Sequence, residues 1–98
     1  MFNIGITGLG WWGKTLVESM VGSDHARIVA GADANITPEL KDFAAFHKMT
    51  LYGSLDEMLA DPEVQGVILA TPHSLHAQQV IKTANAKKHV FAEKPFAL

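Results

Sequence analysis

The sequence predicts an α/β protein built on a doubly wound parallel sheet, and three observations carry that prediction. Strand-like and helix-like stretches alternate along the whole chain. The run Gly8-Leu9-Gly10-Trp11-Trp12-Gly13 stands between the first strand and the first helix. An aspartate, Asp33, ends the second strand, twenty residues after Gly13. Strands separated by helices imply βαβ units, and hence parallel strands with right-handed crossovers. The five strands are expected in the spatial order 3-2-1-4-5.

Each element has its own local reason. Phe2 to Thr7 reads as strand 1. Trp11 to Val21 reads as helix A, with Leu16, Val17, Met20 and Val21 at helical spacing. Arg27 to Ala32 is strand 2, a β-branched pair followed by small residues. Helix B follows Thr37-Pro38-Glu39: Thr37 can cap, Pro38 suits the first helical position, and Glu39 meets the positive helix end. Leu40, Phe43, Ala44 and His47 form its expected inner face. Thr50 to Tyr52 is a short strand 3. Ser54 and Glu57 form a capping box for a brief helix that ends near Ala60, before Asp61-Pro62. Val67 to Ala70 is strand 4, His73 to Ala86 is helix D, and Lys88 to Ala92 is strand 5.

Composition narrows the function classes. A chain of 98 residues allows one domain. The net charge of −2 gives no basic footprint, so no nucleic-acid partner is expected. The apolar runs fall far short of a membrane span, so no membrane partner is expected either. Phe2-Asn3-Ile4-Gly5-Ile6 reads as a strand rather than as a signal peptide. The absence of cysteine excludes disulfide and thiol chemistry and fits a cytoplasmic location. The five histidines are scattered, and their spacing describes no metal site.

The glycine run carries the chemistry. In its strand–turn–helix setting it is the dinucleotide fingerprint of a Rossmann fold. Gly8 is expected to make the tight turn, Gly10 to let a pyrophosphate approach the backbone, and Gly13 to let the helix pack closely. The backbone N–H groups of Trp11 and Trp12, at the helix start, favour the diphosphate. For the two indoles, packing on a neighbouring element and facing a nicotinamide or a further domain remain equally open. Asp33 can accept the hydroxyls of the adenosine ribose and would repel a 2′-phosphate. Ala34 and Asn35 offer no arginine to hold one. NAD is therefore expected over NADP. The Ala70-Thr71-Pro72-His73-Ser74-Leu75-His76 and Glu93-Lys94-Pro95 segments follow strands 4 and 5 at the same carboxyl edge.

With these segments in place the chain closely resembles the Gfo/Idh/MocA oxidoreductase family over all 98 residues. The resemblance rests on the glycine run and Asp33, and on Tyr52-Gly53-Ser54 through Leu59-Ala60-Asp61-Pro62-Glu63-Val64. It rests further on Ala70-Thr71-Pro72 with His76, and on Lys88-His89-Val90 leading to Glu93-Lys94-Pro95. It implies nicotinamide-dependent hydride transfer on a small-molecule substrate: a sugar, cyclitol or related alcohol or carbonyl. It implies that Lys94 lies near both the nicotinamide ribose and the reacting oxygen, as the catalytic residue. It implies that Glu93 helps fix that ribose and that Thr71, Pro72 and His76 line the cofactor side of the crevice. A lysine ammonium there can stabilise alkoxide charge or shuttle a proton.

Two departures stand out. Complete members carry a sixth strand and a substrate-binding α/β domain beyond residues 1–98, so the isolated chain is expected to bind NAD and catalyse nothing. Lys87 stands where the family commonly has glycine, at a helix end that often needs a left-handed residue. A non-catalytic dinucleotide-binding regulator of the same fold is the alternative reading, and the intact Glu93-Lys94 pair favours the enzyme. The Lys94–Pro95 bond is a candidate cis peptide. Strand 5 is expected to be an edge and the chain a homo-oligomer.

Overall fold

The computed structural model describes residues 2–70 and 76–92. Along the chain run β1 (Phe2–Thr7), α1 (Trp11–Ser19), β2 (Ala26–Ala32), α2 (Pro38–Phe46) and β3 (Thr50–Tyr52). They are followed by α3 (Leu55–Leu59), β4 (Gly66–Leu69), α4 (His76–Asn85) and β5 (His89–Ala92). The strands form one sheet in the order β3-β2-β1-β4-β5, and every neighbouring pair is parallel. This is the expected order.

Apolar side chains gather on both faces of the sheet, as a parallel sheet requires. Ile4, Ile6, Ile28 and Ile68 pack with Leu9, with Val17 of α1, and with Leu40 and Ala44 of α2. Ala30, Ala32, Val67 and Leu69 pack with Leu55 and Met58 of α3. Each fully buried aliphatic side chain contributes about 1.5–3 kcal/mol.

The register contains one irregularity. Ile4 pairs with Ile28, but Gly5 pairs with Ala30, so Val29 is an extra residue in β2. Such a bulge exchanges the faces to which later side chains point. Ile28 accordingly lies on the α1 face, while Ala30 and Ala32 lie on the α3 face. Gly31 then lies on the α1 face, where a Cβ would stand 2.6 Å from Leu9 Cδ1 and 3.0 Å from Met49 Cε.

Several boundaries and one inner-face residue differ from expectation; among them, β2 begins at Ala26, β4 ends at Leu69 and α4 ends at Asn85. α1 ends at Ser19 rather than Val21; the chain turns through Gly22 at φ +85°, and Val21 is left exposed. β4 begins at Gly66, where a Cβ would stand 2.9 Å from the Phe2 ring and 3.0 Å from the Phe91 ring. The aromatic neighbours therefore admit a residue that reads as loop. β5 starts at His89, because Lys88 belongs to the exit of α4 and donates its Nζ to the carbonyls of Asp61 and Val64. His47 is the C-cap of α2 and only half-buried, so it adds little to the inner face. Helix D was expected from His73, and residues 73–75 lie outside the described residues.

Candidate cofactor site

Parallel strands bring their carboxyl ends to one edge, and a cleft of about 490 Å³ opens there. Thr7, Gly8 and Gly10 line it from the β1–α1 turn, Asp33 from the end of β2, Ser54 from the turn after β3, and Gln79 from α4. Segments far apart in sequence thus meet at the point where strand order reverses, which is where ligands of such sheets bind. A smaller cleft of about 240 Å³, with Arg27 and His47 on its rim, opens at the other end of β2, away from the glycine run.

The three glycines do different work. Gly8 adopts φ +91°, and its N–H donates to the Ala32 carbonyl at 2.9 Å. A Cβ on Gly13 would stand 2.0 Å from the Gly8 carbonyl oxygen, so the start of α1 closes directly onto the turn. A Cβ on Gly10 would meet nothing within 4 Å, so the space in front of Gly10 is open to a ligand.

The α1 N-terminus is prepared for an anion. Gly10 provides no side-chain cap, and no acidic residue stands in the first turn. The contrast with the next two helices is informative. Thr37 Oγ1 accepts from the Leu40 N–H at 3.1 Å, with Glu39 in the first turn of α2. Ser54 Oγ accepts from the Glu57 N–H at 3.2 Å, and Glu57 Oε1 accepts from the Gly53 N–H at 3.1 Å, the expected capping box shifted by one donor. Those helices carry side-chain caps, whereas α1 has none at Gly10 and no acidic residue in its first turn, an arrangement that favours an anion at its positive end. Open room at Gly10, an uncapped helix start and a carboxylate across the cleft fit a diphosphate bearing a ribose.

Asp33 is tied to both neighbouring loops. Its Oδ2 accepts from the Leu9 N–H at 2.8 Å, and its Oδ1 accepts from the Asn35 N–H at 2.9 Å. A carboxylate can accept about four hydrogen bonds, so each oxygen keeps capacity for a ribose hydroxyl. The site wall at β3 is braced by a bond from the Tyr52 hydroxyl to Asp61 Oδ2 at 2.7 Å. That bond holds the Asp61 carboxyl below its ordinary value and pushes the Tyr52 hydroxyl above its own.

Of the expected site residues, Gly8, Gly10 and Asp33 meet at this cleft. Gly13 and Trp12 lie in the first turn of α1, and Trp11, beside them, is 79% exposed. His76 begins α4. Thr71, Pro72, Glu93 and Lys94 lie outside the described residues, as does the Lys94–Pro95 bond. Two residues went unassigned. From the sequence Ser54 reads only as a cap, and Gln79, three residues into α4, carries no expected role. No group of three or more His, Asp or Glu that could hold a metal gathers among the described residues.

Comparison with known proteins places these features. The family model for the Gfo/Idh/MocA oxidoreductases, described as an NAD-binding Rossmann fold, matches residues 2–98. The chain is 40% identical to 2,7-anhydro-N-acetylneuraminate hydratase from Escherichia coli, covering 100% of this chain and 26% of that protein. It superposes with a TM-score of 0.85 and 30% identity on scyllo-inositol dehydrogenase from Lactobacillus casei, solved with NAD(H) and scyllo-inositol. That match covers 100% of this chain and 29% of the other. It also superposes on biliverdin reductase from Synechocystis, solved with biliverdin and NADP+, at a TM-score of 0.82 and 28% identity. Here 98% of this chain and 30% of the other are covered. The chain thus spans well under half the length of each of these relatives. It belongs to the Gfo/Idh/MocA oxidoreductase family, whose NAD-binding Rossmann fold it shares.

Proposed function

We propose that this chain is the cofactor-binding part of an NAD-dependent dehydrogenase acting on a sugar, cyclitol or related alcohol or carbonyl. The observation that carries the reading is the uncapped start of α1 behind Gly8, Gly10 and Gly13, facing the cleft that Asp33 borders. Bound there, a nicotinamide cofactor would accept or give up the hydride. The chain's own residues hold it. The backbone of Gly10, Trp11 and Trp12 receives the diphosphate, and Asp33 takes the adenosine ribose. Asp33 also favours NAD, since a 2′-phosphate would face its charge. Thr71, Pro72 and His76 border the nicotinamide side, Glu93 orients its ribose, and Lys94 holds or moves the proton at the substrate oxygen. The inositol dehydrogenase neighbour supports a polyol substrate. We place the protein in the cytoplasm, which suits a chain without cysteine. No helix among the described residues is long and apolar enough to cross a membrane.

A second reading has its own support. The relative at 40% identity is named a hydratase, whose net reaction moves water rather than electrons. Substrate turnover by the longer protein that contains this domain separates the two: a dehydrogenase accumulates reduced cofactor, and a hydratase does not.

Both tryptophans of the chain lie in the glycine run, so tryptophan fluorescence reports on that loop alone. Titrating the chain with NAD should change this fluorescence and give a weak, saturable isotherm without turnover. NADP should bind less tightly, and tighter binding of NADP would defeat the role given to Asp33. Asp33→Ser should weaken NAD by about tenfold or more, the size of a lost hydrogen bond to a charged group, while shifting the NADP-to-NAD preference upward.

A further inference from the structure

We propose that Asp33 is also a positioning residue for the phosphate loop, setting its backbone through Leu9 before any cofactor arrives. The effect on cofactor binding rests on the reading of the cleft given above; the contact itself does not.

Leu9 sits between the two glycines that shape the loop, and it is 3% exposed, so its side chain anchors the turn in the core. The end of β2 grips this residue from two positions. Gly31 faces the Leu9 side chain so closely that a Cβ would stand 2.6 Å from Cδ1. Asp33, two residues on and pointing the same way, accepts the Leu9 N–H at 2.8 Å. Residues two apart share a face of a strand, and the extra residue Val29 puts Gly31 and Asp33 on the α1 side. Without that bulge the carboxylate would be directed to the α3 side. The neighbouring N–H, of Gly8, is held independently by the Ala32 carbonyl at 2.9 Å. Two successive loop amides are thus fixed by the end of one strand, one by backbone and one by a side chain. The amide fixed by the side chain depends on the identity of residue 33.

Loss of the carboxylate therefore does more than remove a ribose partner. It releases the Leu9 amide, and the loop must then be reordered each time a diphosphate binds. If Asp33 only recognised ribose, Asp33→Ser would relieve repulsion of the 2′-phosphate and NADP would bind more tightly than before. If Asp33 also sets the loop, NADP binds more weakly in absolute terms even as its preference relative to NAD rises.

Amide hydrogen exchange on the cofactor-free chain tests the contact, with Gly8 as internal reference. In Asp33→Ser the Leu9 amide should exchange about tenfold faster or more, the size expected for losing a bond to a charged acceptor, while Gly8 keeps its rate. In the unsubstituted protein a scalar coupling through the hydrogen bond, from the Leu9 nitrogen to the Asp33 carboxyl carbon, should be detectable even if the variant fails to fold. An absent coupling overturns the proposal. So does a Leu9 rate that is unchanged or rises only in step with Gly8, and so does tighter NADP binding by Asp33→Ser. Failure of the unsubstituted chain to bind NAD would instead defeat the cofactor reading and leave the Leu9 result standing.

Discussion

Gly10 and Gly13 belong to one motif yet should respond oppositely to the same added methyl group. Gly10 has φ −76°, which any residue adopts, and a Cβ there meets only open space. Gly10→Ala should leave the melting temperature nearly unchanged and weaken NAD by about tenfold or more, since the methyl occupies room needed by the diphosphate. Gly13→Ala drives a Cβ to within 2.0 Å of a backbone oxygen, where no side chain can swing aside. It should cost about 3 kcal/mol of stability, the upper end of overpacking penalties. Thermal melts and NAD titrations of both variants check the pair. Equal melting temperatures would show that α1 does not close onto the turn. Nothing in the letters of Gly8-Leu9-Gly10-Trp11-Trp12-Gly13 distinguishes these two roles; only the distance to the Gly8 carbonyl does.

Helices α2 and α4 end in the same way. After α2, the Lys48 N–H donates to the Ala45 carbonyl and the Met49 N–H to the Ala44 carbonyl. After α4, the Lys87 N–H donates to Ala84 and the Lys88 N–H to Thr83. Each is a Schellman exit with its left-handed residue at lysine, φ +57° at Lys48 and +62° at Lys87. A lysine favours the negative helix end electrostatically but strains its own backbone. Lys87→Gly should therefore raise stability by about 1 kcal/mol, which for a domain of this size raises the melting temperature by roughly 4–8 °C. An unchanged or lower melting temperature would mean that lysine's charge outweighs its strain. The Lys87 strain was legible because the family that the sequence resembles commonly has glycine there, ahead of Lys88-His89-Val90, whereas Lys48 offered no such cue. Strand order, capped helix starts and the glycine turn were legible too, since periodicity, Ser/Thr caps and glycine spacing are local signals. The bulge at Val29 was not, because Arg27 to Ala32 reads as an uninterrupted strand and the extra residue exists only relative to β1. The cleft wall at Gln79 was hidden for the same reason: it is created by the packing of α4 against β4, β5 and α3, a tertiary event.

Across the whole molecule, β5 pairs with β4 and has no second neighbour among the described residues. Phe91 of that strand is 45% exposed, and Ile81 of α4 is 59% exposed. An open strand edge beside apolar surface is a template for pairing with another chain, and covering the apolar area is favoured at about 25 cal/mol per Å². The isolated chain should therefore self-associate, most simply as a two-fold pair. Light scattering over a concentration series checks this, and a mass that stays monomeric throughout would refute it. The central place of β1 has a different consequence, one of timing. β1 leaves the ribosome before the other described strands, and its two partners are β2, complete at Ala32, and β4, complete at Leu69. One edge of β1 can close early. The other must wait for the chain between them, which takes roughly 2 to 7 s at ordinary rates of synthesis. During that interval the middle of the future sheet is its border, and the nascent chain exposes Ile4 and Ile6 on a strand whose second neighbour has yet to be made.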